Sequence, residues 1–332
     1  MSARRARRLF GGPPLRHRLV FGRGMFSDDT EHAYLTALSL LRHPEDPSAF
    51  ARSLAWRLRL WSACLPAGTG LATIRACLKL WLGFPPHRSG VFSAGNGPAM
   101  RAPILGACLR DHPELLREII RASSRLTHTD PRADEGSWVV ARAAAYAVAR
   151  TPEQLDADAF LDNVQSGLKG RQLRESLEVV RELVRDAAET DELATRLGFA
   201  RGVSGYINHT VPAVLFCWLR YRGDFRQTVE RVVLLGGDAD TTGAIVGALA
   251  GATVGAGGIA PEWRAGLWEW PCSVTWLRGL AGCLAAAFAD EPAVAGSVPR
   301  PPRVFWPGVF ARNVLFLMIV LAHGFRRLAP PY

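Results

Sequence analysis

Apolar positions recur along this chain at intervals of three and four, the period of a helix with one face turned inward. Between Glu31 and Leu41 the pattern sets Tyr34, Leu38 and Leu41 on one side and Ala33, Ala37 and Leu40 on the adjoining one. The same spacing predicts helices over 48–64, 70–82, 113–126, 136–149, 172–188 and 210–221. Turn residues interrupt it at Pro66-Ala67-Gly68, Pro85-Pro86, Gly95-Asn96-Gly97-Pro98 and Gly236-Gly237. Val232–Leu235 is the one stretch that reads as a strand, and it is too short to build a sheet. No internal repeat divides the chain. The pattern predicts a single all-α domain over 24–291, preceded by a basic, poorly ordered segment at 1–23. Residues 292–332 read as an appendage, with a connector rich in Pro and Ala over 293–303 leading to an apolar last helix.

Composition allows a large core: 48% of the 332 residues are hydrophobic and ten are Trp. The formal charge of +10 would suggest nucleic acid if it were spread over the surface. It is not. Residues 1–24 carry seven Arg and no acid, and residues 292–332 carry five more Arg and no acid. Without those two ends the body holds 28 basic against 30 acidic residues, so specific nucleic-acid binding is not expected. Six cysteines form no CxxC pair and sit in apolar helical stretches, the usage of reduced thiols in a cytoplasmic protein. The basic N-terminus lacks the apolar segment of a secretory signal. The apolar run Val314–Ala322 is too short for a bilayer, which needs about 20 residues, so membrane association is not expected either.

Two acid-hydroxyl clusters carry the chemistry. One is Ser27-Asp28-Asp29-Thr30, and the other is Gly236-Gly237-Asp238-Ala239-Asp240-Thr241-Thr242, each opening an apolar run of helical period. Either cluster alone could simply cap a helix, since Ser, Thr and Asp are preferred there. Two of them brought together would crowd four carboxylates and demand cations. Carboxylates and hydroxyls without paired His or Cys make an all-oxygen set suited to magnesium or manganese rather than zinc. Of the four tryptophans that follow (Trp263, Trp268, Trp270, Trp276), a core role is expected rather than a stacking wall for a base.

These motifs, in this order, resemble the ADP-ribosylglycohydrolase family. Three intervening stretches agree: Ser93 to Arg101 resembles its phosphate-contacting loop, Leu126 to Arg132 its Thr-His substrate loop, and Gly205 to Pro212 the segment before the second acidic motif. The resemblance covers roughly residues 24–290. It implies an orthogonal bundle of many helices around two divalent cations, Mg2+ or Mn2+. Carried over by position, Ser27, Asp28, Asp29, Asp238, Asp240 and Thr241 would be metal ligands, and Asp29 the catalytic carboxylate. Ser93, Gly95, Asn96, Gly97 and His128 would contact substrate, while His209 is expected to be structural. The implied reaction is hydrolysis of the bond joining ADP-ribose to a protein side chain or small acceptor, so the partner is an ADP-ribosylated protein or molecule. One departure stands out. The family's opening helix carries an acidic motif with a Glu, and residues 1–26 here hold no Asp or Glu. Either the chain is shortened there, or Glu31, Asp130 or Glu135 substitutes, or the protein is a catalytically weakened ADP-ribose-binding or structural relative.

Overall fold

The computed structural model describes residues 3–289 and 300–326, and every regular element among them is helical. The first half runs α1 (Ala3–Phe10), α2 (Asp28–Arg42), α3 (Pro47–Ala63), α4 (Leu71–Trp81), α5 (Pro86–Ser89), α6 (Ala102–Cys108), α7 (Pro113–Arg125) and α8 (Pro131–Val148). Then come α9 (Ala157–Gln165), α10 (Arg171–Arg185), α11 (Thr190–Arg196), α12 (Ile207–Arg220) and α13 (Phe225–Leu234). The last are α14 (Ala239–Val254), α15 (Pro261–Ala265), α16 (Val274–Ala287) and α17 (Trp306–Arg326).

The bundle is organised on α8. Small buried residues run along it, Ala133, Gly136, Ala141, Ala143, Ala144 and Ala147 among them, so neighbouring helices approach closely. Against it pack α6, α7, α12 and α14. The tightest approach is at Gly106 of α6, where a Cβ would fall 2.0 Å from the Ala141 carbonyl oxygen. One continuous core joins these helices to α2, α3 and α10. The all-α expectation holds. Helix α8 starts five residues ahead of the expected position because Asp130 caps it and Pro131 occupies its first turn, where proline is pre-set for a helix.

Several expectations are corrected. Val232–Leu235 is the last turn and cap of helix α13 and not a strand, with Val232 and Leu234 buried. The basic segment 1–23 opens as helix α1, packs on α13, and pairs Arg7 with Asp191. It continues as a strap, with Leu15 N–H donating to Glu230 Oε1 at 2.7 Å and Trp263 Nε1–H donating to the Leu15 carbonyl. Trp268 and Trp270 are 40% and 38% exposed, hence not core. The connector expected over 293–303 lies largely outside the described residues. All six cysteines are unpaired.

Candidate active site

Two helix starts face one hollow. Helix α2 begins at Asp28 and α14 at Ala239, and the residues at their entrances, Ser27 and Asp238, make no side-chain bond to their helix's amides. Other entrances do use their aspartates: Asp46, Asp130, Asp156 and Asp224 each accept from backbone N–H groups of the first turn. Such a cap contributes about 1 kcal/mol, so two entrances that forgo it direct their side chains elsewhere. Ser27 Oγ donates to Asp29 Oδ2 at 2.7 Å, and Asn96 Nδ2 donates to Asp238 Oδ2 at 2.7 Å.

Asp28, Asp238, Asp240 and Thr241 line a hollow of about 320 Å3 with Ser93, Gly95, Asn96, Gly97 and His128. Ser27 and Asp29, the other two expected ligands, stand just behind its wall; Asp29 is 1% exposed. The hollow is not the largest in the protein, since a cleft of about 610 Å3 lies beside Leu109 and Phe288. Its distinction is the convergence of carboxylates.

Their electrostatics show strain. Burial, then the charges of Asp29, Asp240 and Glu31, push Asp28 up to about 8. Burial also raises Asp29 to about 6, with the Ser27 and Thr241 hydroxyls opposing and Asp240 adding repulsion. Asp238 is raised to about 6 by burial and by Asp240, against the pull of Asn96. Asp29 Oδ1 is buried without any hydrogen-bond partner. A divalent cation fits this set: it would neutralise the repulsion and give the orphaned oxygen a partner. Among the described residues no three His, Cys, Asp or Glu side chains converge tightly enough to hold an ion unaided. Hydroxyls of Ser27 and Thr241, together with water, would have to complete the shell, as hard oxygen-binding ions accept.

Short backbone bridges lock the loops around the hollow. Asn96 N–H donates to the Gly205 carbonyl and Ile207 N–H to the Ala94 carbonyl, both at 2.9 Å. Asp238 N–H donates to the Val203 carbonyl at 2.7 Å. That last contact requires Gly237, whose φ is +82° and whose absent Cβ would lie 1.9 Å from the Val203 oxygen. Gly95 and Gly97 straddle the His128 ring; a Cβ on either would come within 2.9 Å of it. His128 Nδ1 pairs with the Thr127 hydroxyl at 2.9 Å, and burial with the nearby Arg101 charge pulls the ring down to about 3. His128 is therefore neutral at physiological pH. His209 bonds Ser204 Oγ at 2.9 Å and does not line the hollow.

Arg101 was missed as more than the end of a motif. It is fully buried under the Asn96 loop and touches no carboxylate, bonding Ser123, Thr127 and His32 instead. A buried cation without a counter-charge is costly, and desolvation lowers it to about 10. It gives the loop a positive field suited to an anion.

None of the three substitute acids lines the hollow. Glu31 accepts from Trp61 Nε1–H at 2.7 Å, Asp130 caps α8 and pairs with Arg132, and Glu135 accepts from the Lys169 and Gly170 amides. A further acid that sequence reasoning passed over, Glu269, backs the first motif. It accepts from Phe26 N–H at 2.8 Å and pairs with Arg312 of α17, whose guanidinium also donates to the Phe26 carbonyl. Arg312 lies 3.8 Å from Glu31. The chain's end thus grips the peptide immediately before Ser27.

The model of the family described as ADP-ribosylglycohydrolase matches residues 1–293. The chain belongs to the ADP-ribosylglycohydrolase family. An uncharacterized protein of Archaeoglobus fulgidus is 30% identical over 249 residues, covering 74% of this chain and 76% of its own. The ADP-ribosyl-dinitrogen reductase glycohydrolase of Rhodospirillum rubrum is 27% identical over 244 residues, 72% of each chain. A solved ADP-ribosylglycohydrolase-related protein complex superposes with a TM-score of 0.55 at 31% identity, covering 74% of this chain and 77% of that one. In this member of the family, helix α17 lies beyond the matched residues, yet it supplies the arginine that holds the first acidic motif.

Proposed function

We propose that this ADP-ribosylglycohydrolase hydrolyses the bond between ADP-ribose and a protein side chain or small acceptor. The observation that carries the reading is the meeting of two uncapped acidic helix starts beside the Gly95–Gly97 loop in one hollow. Ser27, Asp28, Asp29, Asp238, Asp240 and Thr241 would hold Mg2+ or Mn2+. Such ions, when bound, supply a template for vicinal hydroxyls and an activated water. The chain's own groups do the rest. The Ser93–Gly97 loop, over the buried Arg101, receives the pyrophosphate on backbone amides. Neutral His128 offers one ring nitrogen toward the bound sugar without adding charge. Asp29, just behind the wall of the hollow, takes the proton of the attacking water through one intervening water as the bond from the anomeric carbon to the acceptor breaks, and the acceptor leaves with a proton from solvent. Asn96 fixes Asp238 so that the second motif keeps its aim.

A second reading is a relative that binds ADP-ribose without turning it over. It is favoured by the absence of acid in residues 1–26 and by the engagement of Glu31, Asp130 and Glu135 away from the hollow. The deciding experiment follows ADP-ribose release from ADP-ribosyl-arginine and ADP-ribosyl-serine peptides with Mg2+ or Mn2+. Release that stops with EDTA is the expected result. Tight ADP-ribose binding with no release under any metal would establish the second reading.

A further inference from the structure

Several exposed apolar side chains, Phe21 and Phe325 among them, lie on the Arg-rich, acid-free end segments of the chain. Helix α17 is buried at its start, where Gly308, Val309, Arg312 and Asn313 pack against the body. Among the described residues from Val314 to Arg326 none is buried, and Met318, Leu321 and Phe325 are 55%, 49% and 68% exposed. His323 Nε2 contacts the Leu19 carbonyl oxygen at 2.6 Å, which fastens this outer half to the N-terminal strap. There Val20 and Arg23 exchange backbone bonds across a two-residue turn whose tip is Phe21, 97% exposed at φ +46°. A bulky residue with positive φ is a strained choice, and this one gains no contact with the protein in return. Exposed Arg16, Arg18, Arg23 and Arg326 surround these groups, and no acid occurs in residues 1–26 or 292–332.

We propose that the Phe21 turn and the outer half of α17 form a docking face for an anionic lipid bilayer. Met318, Leu321 and Phe325 fall on one side of the helix, the apolar face of a helix lying in a bilayer interface, and the Phe21 tip beside it is a second insertion point that a helical stripe in a protein groove would not use. The exposed arginines of these two acid-free segments complement anionic headgroups, while the acids that meet the strap, Glu230 and Glu269, are turned inward and engaged. Docking at Arg312 prevents the helix from spanning. Only residues 314–326 are free, about 20 Å of helix at 1.5 Å per residue, against a hydrocarbon core of roughly 30 Å. The helix therefore lies at the interface, with Phe21 inserted beside it. Helix α17 is 21 residues long and, by length and composition, apolar enough to cross a bilayer, which corrects the expectation drawn from Val314–Ala322; its buried start, not its length, keeps it at the interface.

The test floats full-length protein with vesicles of pure phosphatidylcholine and with vesicles containing 30–40% (about one third) phosphatidylserine, a surface charge that attracts basic segments. Binding to the anionic vesicles alone, weakened at high salt and reduced at least tenfold in Phe21→Ser/Leu321→Gln/Phe325→Ser, is expected. The variant's thermal midpoint and ADP-ribose binding should match wild type, since none of the three residues touches the hollow. No flotation with anionic vesicles overturns the proposal. So does flotation that the triple variant retains in full, which would make the arginines a general polyanion site, with RNA binding as its companion result. A wild-type dimer that becomes monomeric in the variant, without vesicle binding, would assign the face to a second copy of the chain.

Discussion

Asp28 and Asp29 are neighbours with different surroundings, and the difference sets what each can do. Asp28 faces the hollow with two other acids, Asp238 and Asp240, while Asp29 is buried with one oxygen bonded to Ser27 and the other unpartnered. Replacing Asp29 by Asn keeps the shape and removes the charge. Turnover should fall about 10²-fold or more, as when a general base is lost, while ADP-ribose binding measured by calorimetry changes far less. Metal-free protein should also show a distinctive pH response. The folded pKa of Asp28 is raised to about 8 from 3.8, so the folded state holds a proton that the unfolded state has released. Stability then falls as pH rises toward 8, by up to about 1.4 kcal/mol per pH unit. Below about pH 7 the depressed His32, His128 and His209 oppose this fall, because their unfolded rings still bind protons near 6.5, and above it they are neutral in both states. Melting in EDTA at about pH 7.25, 7.75 and 8.25 should trace the decline, and saturating Mg2+ should flatten it. A flat metal-free profile would mean that the four acids do not repel as argued.

At the scale of elements, the chain's grip on Phe26 is the most exposed to mutation. Arg312 is 2% exposed and holds Glu269, Glu31 and a backbone carbonyl at once. Removing one partner of a buried ion pair costs about 3–5 kcal/mol because the other charge is left uncompensated. Arg312→Met should therefore lower the denaturant midpoint sharply, and adding Glu269→Gln should recover part of the loss. Equal losses in the single and double variants would show that the pairing matters little. None of this was legible in the sequence, because Arg312 meets partners 43 and 286 positions away. What was legible was local. Helices α3, α4, α7 and α12 fall close to their expected spans because apolar spacing and Pro or Gly breaks act within a few residues. Val232–Leu235 misled because β-branched residues at a helix end resemble a short strand when read without their neighbours. The site was legible as two motifs and a glycine loop, since Gly95 and Gly97 are required by the His128 ring. The role of Arg101 was not, because its burial depends on α2 and α7 closing over it.

For the whole molecule, the two acidic motifs lie 200 or more positions apart in sequence and face one space, so folding must bring like charges together. Metal binding should offset that repulsion. A ligand that binds only the native state adds about 2.7 kcal/mol at a hundredfold excess over its dissociation constant. Thermal scans with Mg2+ or Mn2+ against EDTA should show a higher midpoint with metal, and an unchanged midpoint would remove the metal from the proposed function. Asp238→Asn should shrink the metal-induced shift while raising the midpoint in EDTA, because one repelling charge is gone. A purely structural Asp238 would lower both.

The bond from Arg312 to Phe26 also sets an order of events during synthesis. These residues are 286 positions apart, and ribosomes add about 5–20 residues per second. Phe26 and Glu31 therefore exist for roughly 15–60 s before the arginine that secures them has been made. During that interval Glu31 lacks its counter-charge, joined by Glu269 for the last few seconds, and the peptide leading into Ser27 has nothing to hold its carbonyl. The first acidic motif to be translated is among the last parts of the molecule to be finished. A ribosome paused before codon 312 should carry a bundle that resists protease in its middle helices while remaining open to cleavage around residue 26.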